Sequence, residues 1–365
     1  MNTSFQDIFF PNRNNSLDND TLDMNQEQDR SDMQKKFKIA QVVFLIISSI
    51  GIFGNSVSIL ALRKSKKLRS PTTAFVITLC TADLLFCILT LTNYSRPDWN
   101  CNHVFCILIT WAKYFVGGES VYLMIGITIN RYICVIHPNY YRLIYRRKCL
   151  AFQIALTWMY SFMISLLPFF EIWGKYGYDP NSGLCIILRQ NGKSARTFFF
   201  ISYYALPATV FAVCYSRIFW VTYKTSRQVR KQCNFFVTPE ELNATATSPE
   251  CRIQRGDIPD RVNDKEMKIL KVMLVIFVAF LICYFPMALI KFFDSKAKIP
   301  ALTALSYLGI NLSNVINPMI YVAMSAEYRK AYIELFTCKQ LWLPLSTSSN
   351  AATSSNTATI EMLSV

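Results

Sequence analysis

Residues 272–290 read VMLVIFVAFLICYFPMALI, a stretch without a single charged side chain. A helix of about 20 apolar residues is long enough to cross the roughly 30 Å hydrocarbon core of a bilayer. Six further stretches with few or no charged side chains have a similar length. They are residues 39–62, 71–95, 104–136, 149–170, 197–216 and 299–326. The sequence therefore predicts an all-α fold, a bundle of seven transmembrane helices.

The composition agrees with a membrane protein. The 365 residues are 52% hydrophobic and 17% charged, whereas soluble domains average about 25% charged residues. Lys and Arg outnumber Asp and Glu by 38 to 23, giving a net charge of +15. Most of this surplus adjoins the apolar stretches, so membrane topology explains it better than a polyanionic partner. A soluble enzyme and a nucleic-acid-binding protein are therefore excluded as first interpretations.

Basic residues indicate the orientation, because short loops rich in Lys and Arg stay in the cytosol. Such residues connect the first two spans and the third and fourth spans. They are Arg63, Lys64, Lys66, Lys67, Arg69, Arg142, Arg146, Arg147 and Lys148. This arrangement predicts an extracellular N-terminus. Residues 1–36 contain no apolar stretch typical of a cleavable signal peptide, so we expect the first span to act as the insertion signal.

Asn-x-Ser/Thr sequons agree with this orientation. Asn2, Asn14 and Asn19 lie in sequons of the N-terminal tail, and Asn93 lies in another at the outer end of the second span. We expect these four to be glycosylated. Asn243 fits the same pattern but lies in the third cytosolic loop, where we expect no glycan.

The chain divides into three parts. Residues 1–36 form an extracellular tail, residues 37–338 the membrane domain, and residues 339–365 a cytosolic tail rich in Ser, Thr, Asn and Ala. Residues 224–264 mix both charge signs with Pro and Thr and predict a flexible cytosolic loop. The spans show no internal repeat, which argues against a transporter built from duplicated halves.

Each span carries a polar, proline or aromatic motif, and polar groups inside a bilayer are costly enough to be functional candidates. In chain order the motifs are Gly54-Asn55, Ala82-Asp83, Asn130-Arg131-Tyr132, Trp158, Pro207 with Tyr215, Cys283-Tyr284-Phe285-Pro286, and Asn317-Pro318-Met319-Ile320-Tyr321. This ordered set resembles the rhodopsin-like family of G-protein-coupled receptors over roughly residues 37–338. The resemblance implies a seven-helix bundle in the plasma membrane that activates a heterotrimeric G protein and uses no cofactor.

The resemblance also implies a disulfide and a buried polar cluster. Cys106 lies 25 residues before Arg131, where the family has the cysteine that pairs with the second outer loop, and Cys185 is the natural partner. Cys101 is left over, either as a free thiol or paired elsewhere. Residues that resemble the family's polar cluster are Asn55, Asp83, Ser120, Asn314 and Asn317. This cluster would hold either a sodium ion beside Asp83 or a hydrated hydrogen-bond network.

Family positions also indicate an activation switch. Asn130 replaces the common Asp of the Asp-Arg-Tyr motif, so one restraint on Arg131 is weaker. Glu266 stands where the family has a second arginine partner, and we expect it to pair with Arg131 at rest; the alternative is a solvated acid at a helix end. The remaining members of the switch are Tyr132, Tyr215, Pro286, Asn317, Pro318 and Tyr321. Tyr284 stands where most relatives have Trp, before the helix-kinking Pro286.

Aromatic residues recur at four-residue spacing after the seventh span. Tyr328, Tyr332 and Phe336, with Arg329 and Lys330 between them, predict a short eighth helix along the inner membrane surface. Cys338 follows it directly and is a candidate for palmitoylation.

Ligand-binding candidates follow from alignment through Arg131. Lys113 takes the position at which amine receptors have Asp, and residues 299–326 lack the lysine that holds retinal in opsins, so neither ligand is expected. The other candidates are Tyr114, Phe199, Tyr203, Tyr284, Met287 and Tyr307, with Phe200, Arg189, Arg196 and Lys291 near the mouth. A basic mouth over an aromatic cavity favours an anionic amphiphile such as a fatty acid or lysophospholipid. One alternative is a peptide ligand. The other is that Lys113 pairs with Glu119 or another acid and that the loop charges are solvated.

The motif combination is most similar to the invertebrate Moody and Trapped-in-endoderm receptors, relatives of the melatonin receptors. That resemblance implies roles in cell migration or epithelial barrier organisation. The competing class is a transporter or channel with an ion path through Asp83, Lys113 and Glu119. The implied partners are membrane lipids, a G protein, and receptor kinases and arrestin acting on the Ser/Thr-rich tail. Leu363-Ser364-Val365 has the apolar-x-apolar pattern that PDZ domains bind.

Overall fold

The computed structural model describes residues 19–65, 68–95, 103–179, 184–188, 190, 195–235, 259–293 and 300–337. In these ranges the chain forms α-helices, one π-helical segment and a two-stranded hairpin. In chain order they are α1 (Asn19–Lys64), α2 (Pro71–Ser95), α3 (His103–Ile136), α4 (Pro138–Ile144), α5 (Arg147–Ser165), β1 (Lys175–Asp179), β2 (Leu184–Leu188), α6 (Arg196–Phe200), the π segment (Ile201–Ala205), α7 (Leu206–Phe235), α8 (Pro259–Phe293), α9 (Pro300–Met324) and α10 (Ala326–Phe336).

The predicted spans correspond to α1, α2, α3, α5, the continuous run from α6 to α7, α8 and α9, and the predicted fold class is confirmed. Five of these helices are long and apolar enough to cross a membrane in their described parts, and α5 and α9 are not among them. α5 begins with Arg147 and Lys148, and α9 carries several buried Ser and Asn side chains. Charged residues at a helix end and inward-facing polar groups both lower the mean hydropathy of a helix without preventing it from crossing a bilayer.

α3 is the centre of the bundle. It contacts α2, α5, α7 and the hairpin, while α9 closes the bundle against α1, α2 and α8. The largest apolar cluster lies between these helices and includes Phe75, Leu79, Leu123, Phe280 and Tyr321, all nearly inaccessible to solvent. This packing orients one face of each helix towards the others and leaves the opposite face for lipid.

Several helices differ in length from the predicted spans. α1 begins at Asn19 and therefore continues through the predicted tail boundary near residue 37. α7 continues to Phe235 and α8 begins at Pro259, so both ends of the predicted 224–264 loop are helical. No Gly or Pro occurs between residues 208 and 238, so nothing stops the helix where it leaves the bilayer. Hydropathy predicts where a helix leaves the membrane, but these helices continue beyond that point.

α5 ends at Ser165, earlier than the predicted limit of 170. Pro168 follows within one turn, and the residue before a proline avoids helical backbone angles. Pro207 explains the π segment in a similar way, because it has no N–H to donate to the carbonyl one turn earlier. Such bulges occur often at functional sites.

A hairpin covers one end of the bundle. β1 and β2 are antiparallel, with Tyr178 opposite Cys185. Cys185 forms the predicted disulfide with Cys106 near the start of α3. The Tyr176 hydroxyl donates to the carbonyl of Ser165 at 2.8 Å and thereby attaches the hairpin to the end of α5. Burial raises the pKa of the Tyr176 phenol, which keeps this donor protonated.

α10 is the predicted eighth helix. Ser325 caps it by accepting a hydrogen bond from the backbone N–H of Tyr328. The Tyr332 hydroxyl contacts the hydroxyl of Ser58 in α1, and burial raises the pKa of Tyr332 to about 12. Tyr328 stacks on Tyr321 of α9 with ring centroids 5.2 Å apart. These contacts attach α10 to the ends of α1 and α9 that lie opposite the hairpin.

Candidate functional site

Lys113 lies on α3 with its ammonium group against two aromatic rings of α2. Its Nζ is 5.4 Å from the ring centroid of Tyr94 and 6.0 Å from that of Phe86. The ring quadrupole attracts a cation in this position. Among the described residues no carboxylate forms an ion pair with Lys113, and Glu119 accepts a hydrogen bond from Thr157 instead. The predicted alternative of a Lys113–Glu119 pair is therefore wrong.

The neighbouring Tyr114 faces the fifth span. Its ring centroid is 5.2 Å from that of Phe199, which is in turn 5.2 Å from that of Tyr203. The Tyr203 hydroxyl also donates to the Tyr114 carbonyl at 3.4 Å. Tyr176 of the hairpin lies above this group, 6.0 Å from Tyr114 between ring centroids. Three of the predicted ligand residues thus form one aromatic wall beneath the hairpin.

The other ligand candidates lie elsewhere. Tyr307 of α9 lies near Tyr94, on the Lys113 side of α3. Tyr284 stacks on Phe280 at 4.5 Å between ring centroids, deeper in the apolar cluster. Met287 is partly buried on the next turn of α8. Arg189 and the side chains of Arg196 and Lys291 lie outside the described residues.

Asp83 is the centre of a buried polar network between α2, α3 and α9. Its side chain has no solvent exposure. Ser120 donates to its Oδ1 at 2.6 Å and Asn317 donates to its Oδ2 at 2.8 Å. Asn55 of α1 donates to the carbonyl of Asn314 at 3.1 Å, which brings the fourth helix into the same region. All five predicted members therefore lie in the same layer of the bundle.

The donor chemistry of this layer fits a sodium ion. Within the described part of the chain, the side-chain oxygens of Asn55 and Asn314 are buried and have no hydrogen-bond partner. Ser120 uses its proton for Asp83, so its oxygen keeps lone pairs for a cation. Carboxylate, hydroxyl and amide oxygens are the ligands that hard cations prefer. An ion held here would join α1, α2, α3 and α9.

Arg131 belongs to a hydrogen-bonded chain at the end of the bundle opposite the hairpin. Its guanidinium donates to the hydroxyl of Thr72, the second residue of α2. Thr72 donates onwards to Oδ1 of Asn130 at 2.7 Å, and Asn130 donates to the hydroxyl of Tyr141 in α4 at 3.4 Å. Burial raises the pKa of the Tyr141 phenol, so it remains neutral. One threonine hydroxyl thus connects the two residues that the sequence motif puts side by side.

Other switch residues surround this chain. The side chain of Glu266 lies outside the described residues, so its pairing with Arg131 stays a prediction. Tyr132 is partly buried and packs edge-on against His137. Tyr215 and Tyr321 line one small cavity between α3, α7, α8 and α9, with room for about one water molecule. Two aromatic hydroxyls of the predicted switch therefore share one space.

Asn93 does not suit the predicted glycosylation. Its side chain is 2% exposed within the last turns of α2, and a glycan needs an accessible amide. A sequon is a local pattern, whereas burial depends on the neighbouring helices. Asn2, Asn14, the Asn19 side chain and the palmitoylation candidate Cys338 lie outside the described residues, as does Cys101.

Comparisons with known proteins agree with this geometry. Residues 54–321 match the model of the 7 transmembrane receptor (rhodopsin family). The chain belongs to the rhodopsin family of seven-transmembrane receptors. Among solved structures, the receptor is similar to squid rhodopsin with a TM-score of 0.66 at 21% identity, over 83% of this chain and 86% of that one. This likeness concerns the fold.

The sequence relatives agree with the predicted subfamily. The receptor is 32% identical to G-protein coupled receptor moody of Drosophila melanogaster over 87% of its length, and it covers 54% of that longer protein. It is 30% identical to Protein trapped in endoderm-1 of the same fly, over 88% of this chain and 84% of that protein. Human melatonin receptor type 1B is more distant, at 25% identity over 83% of this chain and 78% of that receptor. The receptor spans about half the length of the moody proteins it matches.

Several residues of the receptor's site were not found from sequence. Thr72, Phe86, Tyr94 and Tyr141 belong to no motif, although each contacts either a motif residue or Lys113. Tyr176 is one of many loop tyrosines. Their roles depend on which helix faces meet, and hydropathy does not specify the rotation of a helix about its axis.

Proposed function

We propose that the receptor binds an anionic amphiphile between Lys113 and the aromatic wall, and converts this binding into nucleotide exchange on a heterotrimeric G protein. The observation that carries the proposal is Lys113. It is a partly buried cation held by two rings, with no acid of the described chain paired to it. Burying a charge without a counter-ion is costly, so an anionic head group would relieve that cost.

The apolar part of the ligand has a matching surface. Tyr114, Phe199 and Tyr203 line the neighbouring side of α3, beneath the hairpin. One end of such a ligand would contact the ammonium group and the other the rings. A fatty acid or lysophospholipid has this chemistry, whereas an amine would be repelled by Lys113.

Activation would act through the inner end of the bundle. Ligand binding would favour the state with α8 swung outward. Arg131 would then leave Thr72 and Glu266 and face the G protein. Tyr321 would leave its stack on Tyr328 and, with Tyr215, fill the vacated space. The small cavity supports this step, because both tyrosines already line it and it leaves room for about one water molecule beside them.

Sodium would oppose activation by joining the helices around Asp83. The groups that would hold it are Asp83, Ser120, Asn55 and Asn314. The orphaned amide oxygens of the last two support this assignment. An ion that crosslinks four helices stabilises the arrangement it binds, and a ligand that moves α9 would weaken its site.

The remaining proposals follow from family membership. We place the receptor in the plasma membrane with its N-terminus outside, on the evidence of the basic inner loops. Receptor kinases and arrestin would act on the Ser/Thr-rich tail, and a PDZ domain would bind Leu363-Ser364-Val365. The transporter alternative has little support, because Lys113, Glu119 and Asp83 each contact a different neighbour instead of forming one path.

A nucleotide-exchange assay tests the proposed function. The receptor is reconstituted with a G protein in liposomes and exposed to matched compounds: a fatty acid, a lysophosphatidic acid, a neutral monoacylglycerol, an amine with the same chain, and a peptide panel. We expect only the anionic lipids to stimulate nucleotide exchange. A response confined to peptides or to the amine would contradict the ligand class. Ion flux without nucleotide exchange would contradict the receptor mechanism itself.

A further inference from the structure

The inner end of α7 carries three large aromatic side chains that face away from the bundle. Phe219 is 73% exposed, and Trp220 and Tyr223 are each 54% exposed. Cys214 and Ile218, on the other side of the same helix, are buried. The apolar span that contains these residues ends at Thr225. The three rings therefore lie in its last turns, at the height where Trp and Tyr collect at a membrane interface.

Each polar aromatic ring is paired with basic side chains of the same helix. The Arg217 guanidinium carbon is 5.8 Å from the ring centroid of Trp220, and Lys224 Nζ is 5.3 Å from the same centroid. Arg227 lies 5.5 Å from the ring centroid of Tyr223. Spacings of three and four residues put these side chains on one face of a helix. We call Arg217, Phe219, Trp220, Tyr223, Lys224 and Arg227 the α7 basic face.

No carboxylate balances this charge from within the helix. Residues 206–235 contain no Asp or Glu. Within the described ranges, no acidic side chain of another helix forms an ion pair with Arg217, Lys224 or Arg227. The rings hold the three cations in position, because cation–π contacts restrict side chains that would otherwise be mobile. A preorganised group of cations loses less entropy when it binds an anion.

We propose that the α7 basic face binds the head group of a polyphosphorylated inositol lipid of the cytosolic leaflet. The leaflet follows from the proposed orientation of the receptor, on which this inference rests. Acidic lipids of that leaflet attract juxtamembrane Lys and Arg. Positions 217 to 227 extend over about 15 Å of helix at 1.5 Å per residue. One phosphate group cannot contact all three cations, so a head group with several phosphates matches the face better than phosphatidylserine.

The rings would serve the lipid as well as the cations. Phe219 and Tyr223 stack with centroids 6.3 Å apart and form a continuous apolar surface with Trp220. Acyl chains below the head group would pack against these rings, while the phosphates contact the cations above. This division distinguishes a lipid from a soluble inositol phosphate, which could occupy the cations alone.

Binding is measured on the purified full-length receptor without ligand or G protein, so a failure of the proposed ligand chemistry does not affect the result. The probes are short-chain phosphatidylinositol 4,5-bisphosphate, phosphatidylserine, phosphatidylcholine and free inositol trisphosphate, each titrated and followed by native mass spectrometry. The charge variant is Arg217→Gln/Lys224→Gln/Arg227→Gln. Its matched control is Arg146→Gln/Arg147→Gln/Lys148→Gln, which removes three exposed charges from the start of α5, on the same side of the membrane.

We expect the bisphosphate lipid to bind more tightly than the other three probes. The charge variant should lower its affinity at least tenfold, since it removes all three cations that contact the phosphates, and hydrogen bonds between charged groups are the strong ones. The control triple should change it less than twofold. Trp220→Leu/Tyr223→Leu should weaken lipid binding more than the weak binding of inositol trisphosphate, because it removes the surface for the acyl chains as well as the contacts that position the cations. All these side chains are exposed, so the thermal unfolding temperature without lipid should stay the same in each variant.

Three results would overturn the inference. If the charge variant and its control lose the same affinity for the bisphosphate lipid, the overall charge attracts the lipid and the α7 basic face does not. Equal affinity for phosphatidylserine would contradict recognition of several phosphates. Equal affinity for free inositol trisphosphate would show an anion site with no role for the membrane.

Discussion

The guanidinium of Arg131 donates a hydrogen bond to the Thr72 hydroxyl of α2, and the same hydroxyl donates to Asn130. A neighbouring Asp in the motif would balance the arginine charge directly, whereas Asn130 offers a dipole through Thr72. Hydrogen bonds to charged groups are worth about 1.5–3 kcal/mol each. The resting position of Arg131 thus depends on a residue of another helix, and this dependence can be tested.

Thr72→Val removes the hydroxyl while keeping the shape of the side chain. We expect basal nucleotide exchange to rise about three- to tenfold, because about 1.4 kcal/mol changes a two-state ratio tenfold. Thr72→Ser keeps the hydroxyl and should behave like the unmodified receptor. Both are compared at matched surface expression. Unchanged exchange in Thr72→Val would mean that the observed hydrogen bond does not restrain Arg131.

Glu266→Ala should also raise basal exchange, since Glu266 is the expected second partner of Arg131 and an uncompensated charge favours the state that exposes it. Glu327→Ala, which removes an exposed acid from the first turn of α10, should have no effect. Asn130→Asp should lower basal exchange by restoring an adjacent charge. If Glu266→Ala behaves like Glu327→Ala, Glu266 does not restrain Arg131 in the resting state.

Cys106→Ala or Cys185→Ala should reduce surface expression and ligand binding, because the disulfide attaches the hairpin to α3. Loss of a native disulfide typically costs about 2–5 kcal/mol. Cys149→Ala removes an exposed free cysteine at the other end of the bundle and should have little effect. Peptide mapping should recover Cys106 linked to Cys185. A Cys106–Cys101 link in the expressed protein would refute the assignment.

Gly309→Ala should lower the thermal unfolding temperature and the folded yield. A Cβ at Gly309 would lie 2.0 Å from the carbonyl oxygen of Cys283, so α9 and α8 could not keep their close approach. Overpacking of this kind costs about 1–3 kcal/mol. Gly54→Ala is the control, since its Cβ would meet Pro318 at an ordinary 3.5 Å. Equal stability of both variants would show that α8 and α9 separate without cost.

Lys113→Ala should weaken the potency of an anionic agonist by about tenfold or more, as hydrogen-bonded charge pairs removed from water contribute strongly to binding. Lys113→Glu should weaken it further by repulsion. Lys175→Ala, in the exposed part of β1, should leave potency within about twofold, as expected of a solvated surface charge. Folded yield is followed in parallel by thermal unfolding. If neither Lys113 variant changes the potency, the anionic group of the agonist does not contact Lys113.

The sequence by itself was enough to predict the transmembrane helices, from its apolar stretches, and the family, from its ordered motifs. An apolar stretch such as residues 272–290 must form a helix in a bilayer, because no water is present to satisfy its backbone. The family resemblance implied the disulfide to Cys185 and the layer around Asp83, the four-residue aromatic spacing predicted the eighth helix, and the structure contains all three. Each of these features depends on distances along the chain.

Tertiary structure decided what each side chain meets. Lys113 was an obvious candidate, but Phe86 and Tyr94 lie on α2, and nothing local to Lys113 points to them. Asn93 has the sequence of a glycosylation site, yet the bundle buries it. Both outcomes depend on the rotation and approach of packed helices, which follow from side-chain packing across the bundle and not from hydropathy along one helix.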